Sequence, residues 1–90
     1  MAADRLTIDP ATVFDNSGER RVEFAADVGD DRRAFAAQYD LLEALAAEVP
    51  DDRAVALFHQ HAARIQELGT AALARNIDQD LVVISENDLS

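Results

Sequence analysis

The sequence contains two histidines, His59 and His61, with one residue between them. On a strand such a pair would present both imidazoles to one face and could hold a metal ion; on a helix the rings stand about 200° apart and cannot share one. The surrounding residues repeat with helical spacing, so no metal site is expected. His61 falls at the edge of the apolar face, where a packed, hydrogen-bonded ring is expected, and His59 falls on the solvent side. The acid pairs Asp30-Asp31 and Asp51-Asp52 invite thoughts of proton transfer or of a hard cation. Acid/base work needs carboxylates that converge across a cleft, whereas neighbours in a turn or at a helix start diverge. Asp78 and Asp80 lack the glycine and the closing glutamate of a calcium loop. Ser17, Ser85 and Ser90 stand outside any glycine elbow, the chain has no cysteine, and its three glycines are too scattered to cradle a phosphate. The residues therefore read as those of a non-enzyme, with no catalytic, cofactor-binding or metal-ligating set and no cofactor.

One constellation stands apart. Arg53, Arg64 and Arg75 recur every eleven residues, which puts them on nearly one line along a helix. A solvated face is the plain interpretation, with Arg64 in reach of Glu67 and Arg75 favoured by the C-terminal end of the helix dipole. The functional one is contact with a protein partner or a small anion. The whole chain, 90 residues with 8 arginines against 18 acidic residues, has a formal charge of −10. Nucleic acid and acidic membranes are disfavoured, because both are bound through a basic face. A basic protein partner, or no partner at all, fits the charge better. No apolar run approaches the roughly 18 residues of a membrane span, and the N-terminus lacks a basic stretch followed by an apolar one, so a soluble, cytoplasmic protein is expected.

The elements that would position these residues follow from periodicity. Apolar residues by the broad definition make up 49% of the chain, although 18 of them are alanine, so a modest core of one domain is expected. Residues 1–11 read as a frayed lead-in or a weak edge strand, and Thr12-Val13-Phe14 as a short strand stopped by Asp15-Asn16-Ser17-Gly18. Val22, Phe24, Ala26 and Val28 alternate with polar neighbours, and Arg33, Phe35, Ala37 and Tyr39 alternate again beyond Gly29-Asp30-Asp31. This predicts an antiparallel hairpin with a loop of three or four residues. Asp40, with Glu43 three residues on, reads as the capping box of a short helix whose apolar side is Leu41, Leu42, Leu45 and Val49 and which Pro50 ends.

A long helix is expected from Arg53 to about Arg75, with Phe58, Ile65, Leu68, Gly69 and Ala72 on its core face. At 1.5 Å per residue it would span about 34 Å and overhang a sheet of ordinary strands unless Gly69-Thr70 bends it. The overhang would leave Ala72, Leu73 and Ile77 uncovered as a strip for a homodimer contact. Leu81 to Ile84 read as a last strand and residues 86–90 as a solvated tail. The expected fold is an α+β two-layer sandwich in the order β-β-β-α-α-β, its mostly antiparallel sheet of three to four strands covered by a short and a long helix. The chain is read as a single domain, 1–90, ordered over about 12–85. Its core would hold Val22, Phe24, Phe35, Tyr39, Leu42, Leu45, Phe58, Ile65, Leu68 and Ile84.

Several stretches, in this order, resemble the bacterial family known as domain of unknown function 1488. They are Phe14-Asp15 before Arg21-Val22-Glu23-Phe24, the helix start from Asp40 to Leu45, Phe58-His59-Gln60-His61 with Arg64-Ile65, and Val82-Val83-Ile84-Ser85 leading to Asp88-Leu89. The resemblance spans residues 12–89 and implies a small α+β domain; it brings no activity, ligand or catalytic residue. The family often has aromatic residues at the positions of Val82 and Leu89. Taken together, the sequence points to a non-enzymatic protein-interaction or regulatory module, with a small-anion-binding domain using the arginine line as the alternative.

Overall fold

The computed structural model of the chain describes residues 6–76 and 78–89. Its centre is the hairpin of β3 (Arg21–Val28) and β4 (Asp31–Gln38), paired so that Phe24 faces Phe35 and Val28 faces Asp31. The connecting turn is Gly29-Asp30 alone, shorter than the spacing predicts. Gly29 takes φ 61°, a conformation glycine adopts without strain, and that lets a two-residue turn follow the twist of the strands.

Both β1 (Leu6–Ile8) and β2 (Phe14–Asn16) pair antiparallel with β3, one near each end of it. Between them the chain leaves the sheet in a 3-10 turn, Pro10–Thr12, begun by Asp9, whose side chain accepts the Ala11 N–H at 3.1 Å. Ala25 lies opposite this gap and keeps both of its backbone bonds. Its carbonyl accepts from the Asp9 N–H at 3.0 Å and its N–H donates to the Thr12 hydroxyl oxygen at 2.8 Å. An edge strand can thus be interrupted without leaving unpaired backbone groups. Within the lead-in, Leu6–Ile8 form a strand, and Leu6 belongs to the core.

β5 (Leu81–Ile84) returns beside β4 and pairs with it in parallel, Phe35 against Val82. Among the described residues the sheet has five strands, not three or four, in the order β1-β3-β4-β5 with β2 also on β3. The element order is accordingly four strands, three α-helices and a strand. The α+β class holds, and the sheet is mixed.

α1 (Tyr39–Ala46) follows β4 with no loop. Asp40 does not cap it: the cap is Gln38, with no side-chain cap bond, and Asp40 is the second helical residue. Tertiary ties to Tyr39 set this start. Its N–H donates to the Arg20 carbonyl at 3.0 Å, its ring lies 5.7 Å from the Arg20 guanidinium, and its hydroxyl donates to the Asp15 carboxylate. α1 ends before Ala47, which adopts the left-handed conformation at φ 58°, its N–H donating to the Glu43 carbonyl at 2.8 Å. The helix is therefore shorter than expected. Val49, which the spacing assigns to the apolar side, is 64% exposed.

The long helix is two helices, α2 (Ala54–Gln60) and α3 (Ala62–Arg75), preceded by a 3-10 turn, Asp51–Arg53. The break falls at His61, with φ −114° and ψ 20°, not at Gly69. It frees α2 to place Phe58 against Phe24, ring centroids 4.8 Å apart, while α3 packs along β1 and β5. Gly69 is where α3 comes closest to the sheet: a Cβ there would sit 3.0 Å from Leu6 Cδ1 and 3.3 Å from Ile84 Cδ1. Because the helix is broken, its longer part, α3, lies along β1 and β5. Ala72 is fully buried and Leu73 is 6% exposed, so the strip expected to stay open is part of the core, while Ile77 lies outside the described residues.

The expected tail is a 3-10 turn, Glu86–Leu89. The Ser85 hydroxyl accepts the Asn87 N–H at 3.3 Å, and the Asp88 carboxylate accepts the Ser85 N–H at 2.9 Å and pairs with Arg75. This is the reciprocal arrangement of a capping box. Leu89 packs at the edge of the core.

The core joins Leu41 and Leu42 of α1, Phe58 of α2 and Ile65, Leu68 and Ala72 of α3 to one face of the sheet. That face carries Val22, Phe24, Phe35, Val82 and Ile84, with Phe24 and Phe35 stacked at 5.4 Å. The expected core residues are all in it, with Leu45 at its margin. The strand residues of opposite parity, among them Glu23, Ala25, Ala34, Ala36, Leu81 and Val83, form the other face.

Candidate functional site

Parallel pairing brings distant acids together. Ala37 lies opposite Ile84, so the residues that follow each, at the start of α1 and in the turn after β5, leave the sheet side by side. The Glu86 N–H donates to Asp40 Oδ1 at 3.3 Å across this junction. From there α1 carries Glu43 and Ala44 along its outer side, and the left-handed Ala47 that follows the helix lines the same hollow with Glu48 and Val49. The result is a hollow of about 560 Å³ lined by Asp40, Glu43, Glu48 and Glu86, with Ala44, Ala47 and Val49 as its apolar part.

Its electrostatics follow from placement. Asp40 sits in the first turn of α1, where the positive end of the helix dipole favours a carboxylate. Glu48 accepts from the Arg53 guanidinium at 2.8 Å at the outer rim. Among the described residues no group of three His, Asp or Glu side chains is arranged to hold a metal ion. The carboxylates are spread round an apolar patch, which suits several separate cationic or N–H donors attached to an apolar stem.

The residues singled out from the sequence are placed differently. Arg53 ends the 3-10 turn, and the break at His61 separates it from Arg64 and Arg75 on α3. Each has an acidic neighbour: Arg53 with Glu48, Arg64 with Glu67 at 3.9 Å, and Arg75 with Asp88. The eleven-residue spacing therefore does not become one basic line. His59 is exposed, edge-on to Phe58, and His61 is half-buried at the helix break, where its backbone N–H donates to the carbonyls of Leu57 and Phe58 at 3.1 and 3.2 Å. Asp30 lies in the hairpin turn and Asp31 opens β4.

Two further clusters are built to hold backbone in place. Arg32 donates to Asp9 at 2.9 Å and to Asp27 at 3.2 Å, tying the 3-10 turn to the hairpin. The bond from Arg32, then that from the Ala11 N–H, holds the Asp9 carboxyl below the usual aspartate range, and Asp9 in turn raises Arg32. Glu23 accepts from the Asn16 amide and from Arg21, both at 2.8 Å, which lowers its carboxyl in the same way.

Sequence reasoning did not find the acidic hollow. A signal was present for one wall of it: Ser85 and Asp88 have capping-box spacing, which would have placed a helical turn, and hence Glu86, directly after the last strand. Val49 gives no comparable sign, because its exposure depends on the left-handed Ala47.

The architecture is that of a small α+β domain of the type found in domain-of-unknown-function family 1488, as the resemblance in sequence implies. Among solved structures it is similar to a protein of unknown function from that family from Shewanella loihica PV-4, with a TM-score of 0.76 and 17% sequence identity over 94% of this chain and 97% of that one. The likeness is one of fold. No family model matches the sequence, and no curated protein matches it.

Proposed function

We propose that the chain is a non-catalytic protein-interaction module whose acidic hollow receives a basic, partly apolar segment of a protein partner. The observation that supports this most is Val49, a β-branched apolar side chain 64% exposed and set among four carboxylates. An isolated exposed valine is ordinary. One projected beside an acid-lined concavity offers a contact for the stem of an Arg or Lys, or for an apolar neighbour, while the carboxylates take the cationic heads. The net charge of −10 adds long-range attraction for a basic partner. The described residues include no helix long and apolar enough to cross a membrane.

A fluorescence-anisotropy titration with a labelled peptide of alternating Arg and Leu tests this against attraction by charge alone. Glu43→Gln combined with Glu86→Gln should weaken binding at least about tenfold in 150 mM salt, since each lost charge-assisted contact is worth about 1.5–3 kcal/mol before screening. Val49→Ser, which changes no charge, should weaken it severalfold. The control Asp30→Asn with Asp31→Asn removes two charges from the hairpin turn and should change it little. Equal losses from the hollow and from the hairpin turn would reduce the interaction to net charge and overturn the reading.

A further inference from the structure

The helices cover one face of the sheet, and the opposite face has a shape and charge of its own. Its cross-strand rows are read from the register. One row runs Phe14, Glu23, Ala36, Val83; the next runs Ala25, Ala34, Leu81. The middle of the face carries three alanines, of which Ala36 is fully covered and Ala25 and Ala34 form the accessible floor, while Phe14 stands 51% exposed on one side and Val83 38% exposed on the other. Beside Phe14 the floor forms an apolar hollow of about 220 Å³, with Thr12, Ala25, Ala34 and Leu81 in its lining. A projecting ring and a small-residue hollow lie next to each other on one surface. A two-fold axis through such a surface sets each ring over the hollow of the other copy.

Charge points to the same occupant. A chain of net −10 repels its own copies, and a contact between copies needs a region where that repulsion is absent. The five strands together hold four acidic residues and three arginines, a net of −1, so nearly all the excess lies in the helices and connections. Within the face itself, Glu23 is matched by Arg21 and Asp27 by Arg32. A basic partner would gain little here, and a second identical chain meets little opposition.

We propose that the open face of the sheet is a self-association surface, where two copies pack face to face with Phe14 of each over the alanine floor of the other. The expected species is a dimer at micromolar concentration, tighter in about 150 mM salt than at low salt, because the face is close to neutral while the two whole chains of net −10 repel until screened. Sedimentation equilibrium from 5 to 300 µM tests it on the full chain. Phe14→Glu should raise the dissociation constant at least about thirtyfold, through the loss of a buried ring and the burial of a charge. Ala34→Arg, which fills the floor from the other side, should do the same, and both positions are solvent-exposed in the single chain, so circular dichroism should show the fold retained. A wild type that stays monomeric to 300 µM overturns the proposal, as does a dimer indifferent to both substitutions. Neither result bears on the acidic hollow, which lies elsewhere on the molecule.

Discussion

The two faces of the sheet are made by the same strands, yet one is packed with large apolar side chains and the other has alanines at its middle, with larger and charged side chains around them. Val22, Phe24, Phe35, Val82 and Ile84 point to the helices, whereas Ala25, Ala34 and Ala36 point away. Alternation of parity along a strand makes this division possible, and a one-residue slip would exchange the two sets. The difference separates two tasks. Stability resides on the helix side, where burial of aromatic and branched chains supplies most of the folding free energy. The open side contributes less to folding and is left shallow and close to neutral.

The strongest way to break this comparison is to remove equal bulk from the two sides. Phe58 is fully buried against Phe24, and Phe58→Ala should destabilise the domain by about 3–5 kcal/mol. Phe14→Ala on the open side should change the stability of the monomer by less than about 1 kcal/mol. Urea unfolding of both at a concentration where the chain is monomeric gives the contrast directly. Similar losses would show that both faces carry the fold.

A smaller effect tests how closely the helix layer sits on the sheet. Gly69→Val must push Leu6 and Ile84, both fully buried, away from α3, and should cost about 1–3 kcal/mol despite the better helix propensity of the new residue. A variant as stable as the parent would mean that the layers can separate at this point without loss.

The smallest expected effect concerns the open side. Glu23, lowered by Asn16 and Arg21, adds stability that is fully present above the ordinary glutamate range and disappears as pH falls through its lower native value. At pH 7 Glu23→Gln should therefore melt below wild type, by a difference worth less than about 1 kcal/mol because the cluster is partly solvated. The gap should close as pH falls below about 4. A gap that is constant from pH 7 to 3 would assign the effect to packing instead of charge.

How much was legible in the sequence follows the same division. The β3–β4 hairpin and its core face could be read from alternation, since Val22 and Phe24 against Glu23 leave one consistent assignment. Ala34 to Ala37 carry less information, and there the strand is fixed by pairing, not by propensity. The break at His61 has no proline or glycine to announce it; it arises because Phe58 and Gly69 must meet different parts of the sheet. Tyr39 displaced Asp40 from the cap for a similar reason, being held by Arg20 and Asp15. The acidic hollow was the least legible part. It depends on Glu86 returning to Asp40 through a parallel pairing that spans the whole helical segment, and on an alanine in a conformation alanine seldom takes.

If the acidic hollow receives a basic segment, the open sheet face should not. Mapping amide shifts of the ¹⁵N-labelled chain during titration with the Arg-Leu peptide tests it most directly. Shifts should concentrate at Asp40, Glu43, Ala47, Glu48, Val49 and Glu86 and saturate in 150 mM salt, with Ala25, Ala34 and Leu81 unmoved. Shifts centred on Ala25, Ala34 and Leu81, or spread evenly over all acidic residues, would contradict it.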